Sequence, residues 1–406
     1  MDGQLPRTLL LTSWAPDTRY KVIQRIVARL PPDRLWWASL ARCDSDAALP
    51  FEHRSFAPRR LHWRLQNTTA DFMYAHELQG VGLARRIAGW ARPFKPQVIW
   101  VLSEWGAAKA GYLVHRILDV PLHVTVHDAY ETARFLVPRS YYPVYLRSLR
   151  RISRHAASTD AVSLELLDRL RTTCARLDPD CTMEFHPSIS RDVIPGSRPG
   201  GLGGPGGRTR KIGFCGASRV SPWQWEEFLG MLARLPFDFE ILAFANRDLF
   251  PASNPPANVT VVHKPFAETE AEVIAAFHET GVQACYLGLW KEPARRLFGR
   301  TSLSAKLTTY AAAGLPVIVN GPADSVAWRL AGSYAAGVLC ETQDEKTLTA
   351  LRRLFEDEEV WNAMSDGSRR MCREEFDLDT NVSRFARMLE RSAAPGTDRA
   401  GRGETT

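Results

Sequence analysis

The chain has 406 residues, of which 45% are hydrophobic and 24% charged, and it carries a formal net charge of +7. The length is too great for one core of ordinary size and predicts two domains, while the composition is that of a soluble globular protein. No apolar run approaches the ~18 residues that a membrane span needs.

Seven scattered cysteines, an odd number with no C-x-x-C pair, argue against a disulfide framework or a zinc site. They suit a reducing cytosol. The start, MDGQLPRTLLLTSW, carries an acid early and only a short apolar stretch, so it does not read as a secretory signal. The positive charge suits nucleic acid, an anionic membrane surface, an anionic substrate or plain solvation. Basic residues cluster loosely at 147–154 (RSLRRISR) and 295–300 (RRLFGR). Neither cluster has the interleaved aromatics of a single-strand groove, so nucleic acid is not an expected partner.

The first half alternates strand-like and helix-like pieces. TLLLTS reads as a strand, and Tyr20 to Leu30 as a helix with its stripe at Val22, Ile23, Ile26, Val27 and Leu30. LWWASL is a strand candidate. Ala70 to Trp90 is predicted helical, although Gly80 and Gly82 weaken it. VIWVLS, a helix from Ala107 to Leu118, the strand LHVTVHD and a helix over Ser163 to Leu177 follow.

Gly and Pro then dominate PGSRPGGLGGPGGRTR, which reads as a linker. Beyond it come the strand KIGFCG, a helix from Trp225 to Leu235, and the strands FEILAF and VTVVHK. A helix from Glu268 to Thr280, the strand VQACYL, a helix from Ser304 to Ala313 and the strand PVIVN continue the alternation. Helices over Thr347 to Phe355, Asp357 to Cys372 and about Asp379 to Arg391 close the chain. The predicted order is a domain over 1–195, a linker over 196–210, a second domain over 211–372, a helix over 373–392 that crosses back to the first domain, and a disordered tail over 393–406. Strand–helix alternation of this kind argues for parallel sheets covered on both faces, with ligands at the strand ends.

The most informative stretch is KLTTYAAAGLPVIV, from Lys306 to Val319. Gly314 is placed to cap a helix in the left-handed conformation, and Pro316 forbids its continuation. The alanines let the helix lie close to its neighbours, which tight packing alone would explain. Upstream, GRTSLSAK puts Arg300, Thr301, Ser302 and Ser304 at a helix start, where free amides, hydroxyls and a guanidinium suit a phosphate. A serine there is also simply a good N-cap.

The run SLSAKLTTYAAAGLPVI resembles the donor-binding helix of GT-B glycosyltransferases, and within them the large retaining family described as "group 1". KIGFCGASR, Lys211 to Arg219, is similar to the strand and glycine turn that open that family's second domain. VPLHVTVHD, Val120 to Asp128, is similar to a strand near the acceptor side of its first domain. The resemblance implies an α/β, GT-B architecture: two Rossmann-like domains whose parallel sheets face a central cleft. It covers nearly the whole chain in organisation and about 35 residues in specific motifs.

What it implies for the site is residue-specific. Gly216 and Arg219 would meet the donor's diphosphate. The family pairs such an arginine with a lysine about five residues on; here that place holds Gln224, so Arg300 or Lys306 would supply the missing charge. Two family glutamates eight residues apart are replaced by Thr301 and Thr309, which puts ribose binding by that route in doubt, because a hydroxyl offers less than a carboxylate. Glu292, in LGLWKEP, would reach sugar hydroxyls in their stead. His127 would touch the transferred sugar with Asp128 beside it, and Glu104, in VLSEWG, is a candidate for acceptor or sugar. Trp100, Trp105, Trp223, Trp225 and Trp290 fall near strand ends, where rings serve sugar stacking or, more commonly, the core.

The expected function is transfer of a sugar from a UDP- or GDP-sugar to a hydroxyl of a glycan, lipid-linked or small-molecule acceptor. Retention of configuration, no metal and no cofactor are what the resemblance implies. The expected location is the cytoplasm, with the basic clusters permitting peripheral contact at the inner face of the membrane. Two alternatives stay open: a non-catalytic GT-B scaffold that binds a nucleotide or protein partner, and another GT-B enzyme such as an epimerase or a phosphorylase.

Overall fold

In a computed structural model of the chain, the described residues are 5–16, 21–43, 49–62, 65–135, 137–174, 177–196, 200–202, 209–216, 221–245, 254–265, 267, 269–293 and 295–394. Most of the Gly/Pro-rich stretch, nearly all of the tail and Arg219 lie outside them. The chain divides into two compact units. One comprises Met1–Ala161, Leu167–Phe185 and Val382–Thr406; the other comprises Val162–Leu166 and His186–Asn381. Among the described residues no helix is long and apolar enough to cross a membrane.

The first unit holds strands β1 (Thr8–Thr12), β2 (Leu35–Ser39), β3 (Glu52–Ser55), β4 (Val98–Leu102), β5 (Leu122–Val126), β6 (Ala156–Ala161) and β7 (Thr182–Glu184). They form one sheet in the order β3-β2-β1-β4-β5-β6-β7, parallel throughout. Every residue of β1, β4 and β5 is buried, as expected for a parallel sheet covered on both faces. The last helix, Leu378–Ala393, sends Phe385 into this unit's core. Its ring centre lies 4.5 Å from Trp100, 5.2 Å from His123 and 5.3 Å from Phe185.

Several elements differ from the sequence reading. The single helix expected over Ala70 to Trp90 is three pieces: Thr69–Phe72, a π-helical Met73–Leu78, and Gly80–Ala91. The wide turn closes on a bond from the Gln79 amide to the Tyr74 carbonyl just before Gly80. The basic cluster RSLRRISR belongs to a helix, Tyr142–His155, whose buried Tyr145, Leu149 and Ile152 alternate with exposed Arg147, Arg151 and Arg154. Strands β3, β6 and β7 escape a reading by apolar pattern. β3 is a polar edge strand, β7 has three residues, and β6 carries Ser158, Thr159 and Asp160, all buried.

The second unit holds β8 (Thr209–Cys215), β9 (Asp238–Phe244), β10 (Val259–Lys264), β11 (Ala284–Gly288), β12 (Val317–Asn320) and β13 (Gly337–Cys340). Their order is β10-β9-β8-β11-β12-β13, again all parallel. The central pairing is short. β8 matches β9 from Thr209 to Cys215, but it matches β11 only at Ile212↔Ala284 and Gly213↔Cys285. Beyond Gly213 the two middle strands part. The Cys215 amide, left without a partner on β11, donates instead to the Tyr310 hydroxyl at 3.2 Å.

Tyr310 sits on the helix Ala305–Ala312 that leads into β12. Gly314 has φ +68°, and the bonds Leu315 N–Tyr310 O and Gly314 N–Ala311 O close the helix in a Schellman turn. Ala311, Ala312 and Ala313 are buried, and Ser365 and Ser368 of a neighbouring helix, Glu358–Glu375, donate to the carbonyls of Gly314 and Leu315. The small residues therefore serve close packing.

Candidate active site

Both sheets share a topological property. In the first, the chain leaves β1 toward β2 and leaves β4 toward β5, on opposite sides; in the second the same is true of β8 and β11. Loops at the carboxyl ends of such neighbours diverge and leave a crevice, the usual ligand position in open α/β sheets. Glu104 follows β4, Gly216 follows β8 and Glu292 lies past β11, at these two positions.

In the first unit, β1 runs into Ser13 and Trp14, and β4 runs into Glu104. Glu104 is the N-cap of the helix Trp105–Leu118 but makes no side-chain cap bond. Its carboxylate turns elsewhere. Oε2 accepts from the Trp14 indole at 3.0 Å, and Oε1 lies 3.5 Å from Nδ1 of His127, which follows β5. Ser13 Oγ donates to the Glu104 carbonyl at 2.5 Å and accepts from the Ala107 amide at 3.2 Å. Glu104 and His127 remain 26% and 22% exposed, so a ligand can reach them. Burial alone would lower the imidazole's pKa; the hydrogen bond and charge of Glu104, with the carboxylates of Asp128 and Asp160, outweigh it and hold His127 above its ordinary value.

Behind His127 lies a buried polar network that the sequence reading missed. His123 Nδ1 meets Ser158 Oγ at 2.7 Å and its Nε2 meets Asp160 Oδ2 at 3.1 Å. Thr125 Oγ1 donates to the same Asp160 oxygen, and Trp100 Nε1 donates to Thr125 Oγ1. Trp100 is thus a core residue. The signal was present in the polar run STDAVS, but a strand so polar does not show in an apolar scan.

In the second unit, Gly216 directly follows β8 with φ +132°, a backbone region open to glycine. The stem of Lys306 crosses its face, and the ammonium stands 4.5 Å over the Phe214 ring. Burial brings this ammonium's pKa down to about 8. The adjacent Cys215 thiol, pushed up by burial to about 11, stays neutral at physiological pH. Two residues expected at the donor site, Gly216 and Lys306, are therefore in contact where the sheet opens.

Glu292, past β11, accepts from the hydroxyl of Ser221, the N-cap of the helix Pro222–Ala233. Its other oxygen, Oε2, is buried with no hydrogen-bond partner among the described protein atoms. Nearby, Trp223 is 52% exposed, and Lys291 Nζ lies 5.7 Å over its ring. Trp225, by contrast, is buried in the core.

The remaining candidates have their own partners. Arg300, on the short helix Arg296–Thr301, is paired through Nε with Asp324 at 2.7 Å, and Arg296 shares that carboxylate. Thr301 donates its hydroxyl proton to the Leu297 carbonyl at 2.8 Å, and Thr309 donates to the Ala305 carbonyl at 3.4 Å. Each threonine keeps only lone pairs for another group. Ser302 is buried, and Ser304 caps the helix Ala305–Ala312 by accepting from the Lys306 amide at 3.4 Å.

No family model and no curated protein sequence matches the chain. Solved structures do. HepE of Anabaena, in complex with UDP and glucose, matches with a TM-score of 0.63 at 14% identity, over 95% of this chain and 99% of that one. Sucrose-phosphate synthase of Thermosynechococcus elongatus gives 0.61 at 12%, over 95% and 98%. The UDP-forming α,α-trehalose-phosphate synthase of Burkholderia vietnamiensis gives 0.61 at 14%, over 95% and 99%. The fold of the chain is GT-B.

Proposed function

We propose that the chain is a glycosyltransferase that moves a sugar from a nucleotide-sugar donor to an acceptor hydroxyl. The fold is shared with HepE, whose structures hold UDP and UDP-glucose. The predicted domain over 211–372, which lies in the second unit, is the donor side in this reading, and the first unit is the acceptor side. The observation that carries it is Lys306: a partly buried ammonium, folded over a glycine at the carboxyl end of the opened central strand. A cation so placed, with Arg219 and the local backbone amides, stabilises the charge that builds on a departing diphosphate. Glu292 offers an oxygen to sugar hydroxyls, and Thr301, Ser302, Ser304, Thr309 and Arg300 complete the donor set. His127, Glu104 and Asp128 serve the reacting sugar and acceptor. Retention of configuration and independence of metal come with the family resemblance.

The acceptor belongs to the glycan, lipid-linked or small-molecule classes. A cytoplasmic location with peripheral contact at an anionic membrane face accords with the exposed Arg147, Arg151 and Arg154. A second reading is favoured by a specific observation. Thr301 and Thr309 both give their protons to helix carbonyls, and they stand where the family resemblance implies carboxylates. That suits a scaffold that binds a nucleotide without turnover.

Calorimetry with UDP, GDP, ADP and their sugars separates the two. Binding accompanied by slow donor hydrolysis is the result expected of the enzyme. Binding without hydrolysis or transfer favours the scaffold, and no binding by any of the panel overturns the donor site.

A further inference from the structure

We propose that Trp14 is a positioning residue, which with Ser13 fixes the carboxylate of Glu104 on His127. The geometry is specific. Glu104 sits at a helix start where a carboxylate ordinarily turns back to cap the helix amides, yet it makes no such bond. The amide of Ala107 is served instead by Ser13 Oγ, which also donates to the Glu104 carbonyl. That releases the side chain, and the Trp14 indole N–H takes one of its oxygens at 3.0 Å. The other oxygen is thereby directed to Nδ1 of His127 at 3.5 Å.

Three strands supply the assembly: Ser13 and Trp14 follow β1, Glu104 follows β4 and His127 follows β5. A carboxylate that could rotate freely would divide its time between the helix amides and the imidazole. The indole removes the first option and leaves the second. Among the described residues, the charged groups that hold the His127 proton are Glu104, Asp128 on its own loop and Asp160 on β6. Glu104 is the one among them whose orientation depends on Trp14.

The role of this arrangement in sugar transfer rests on the reading of His127 given above, but its test needs no substrate. The full-length protein, labelled at histidine, is titrated by NMR, with the His127 resonance assigned by its loss in His127→Gln. Glu104→Gln, which removes the charge, sets the full downward shift of the His127 pKa. Trp14→Phe, which keeps the ring and removes the N–H, is expected to lower that pKa by about half a unit, in the same direction as Glu104→Gln. A His127 titration unchanged by Trp14→Phe overturns the proposal, as does one unchanged by Glu104→Gln. Should Trp14→Phe fail to fold, Ser13→Ala carries the same expectation and the same power to overturn. A failure of sugar transfer with the titration shifts intact would count against the enzymatic reading alone.

Discussion

A methyl group placed on Gly216 would lie 2.3 Å from Cε of Lys306, closer than any real side chain approaches. The glycine is thus the condition for the lysine's position, and its φ of +132° adds a second reason for its identity. Gly216→Ala is expected to displace the Lys306 stem and to strain the turn by about 1–3 kcal/mol. Calorimetry with UDP should show affinity reduced about tenfold, equivalent to about 1.4 kcal/mol. Thermal denaturation should show a lowered midpoint. Unchanged UDP affinity in a destabilised variant would separate the glycine's structural duty from any role at a donor.

The pH dependence of nucleotide binding follows from the same contact. Burial lowers the Lys306 pKa to about 8, so the ammonium is charged below that pH and neutral above it. A nucleoside diphosphate is fully ionised above about pH 7, because its last phosphate proton leaves near pH 6. UDP should therefore bind well at pH 7 and progressively less well as the pH rises through 8 toward 9. Lys306→Met should bind weakly at both ends and show a flat profile. A flat profile in the unaltered protein would remove Lys306 from the diphosphate.

His127→Ala is expected to lower transfer about 100-fold or more, the range for loss of a positioned acid–base group. UDP affinity should stay within about twofold, a change of about 0.4 kcal/mol. Separate measurement of turnover and of UDP binding checks the division of labour. Equal loss in both would assign His127 to the donor rather than to the reacting sugar.

The bond from the Cys215 amide to the Tyr310 hydroxyl lends itself to a stability measurement. Tyr310→Phe leaves the ring and removes the acceptor, stranding a buried backbone donor where β8 has already left β11. The expected loss is about 1–3 kcal/mol, read from urea denaturation. No loss would mean that water or a shifted strand satisfies the amide.

Much of the fold was legible because buried parallel strands and their crossover helices carry strong patterns. β1, β4, β5, β8 and β12 announce themselves as apolar runs, and KLTTYAAAGLPVIV shows both the helix end and the strand that follows. β6 did not, because its side chains form a hydrogen-bonded network instead of an apolar face. The site was legible in part. Gly216 and Lys306 lie 90 residues apart in sequence, and only the fold brings them into contact. The bond from Trp14 to Glu104 spans 90 residues as well, and no local pattern reveals it. The pairing of Arg300 with Asp324 depends on a loop that no local pattern reveals.

Phe385 fills the space among Trp100, His123 and Phe185 from the last helix of the chain. During synthesis the first seven strands emerge long before that ring exists, so the unit that is made first must wait for the final residues to close its core. Expressing the amino-terminal half by itself should give an unfinished, aggregation-prone product, and adding the terminal helix in trans should rescue it.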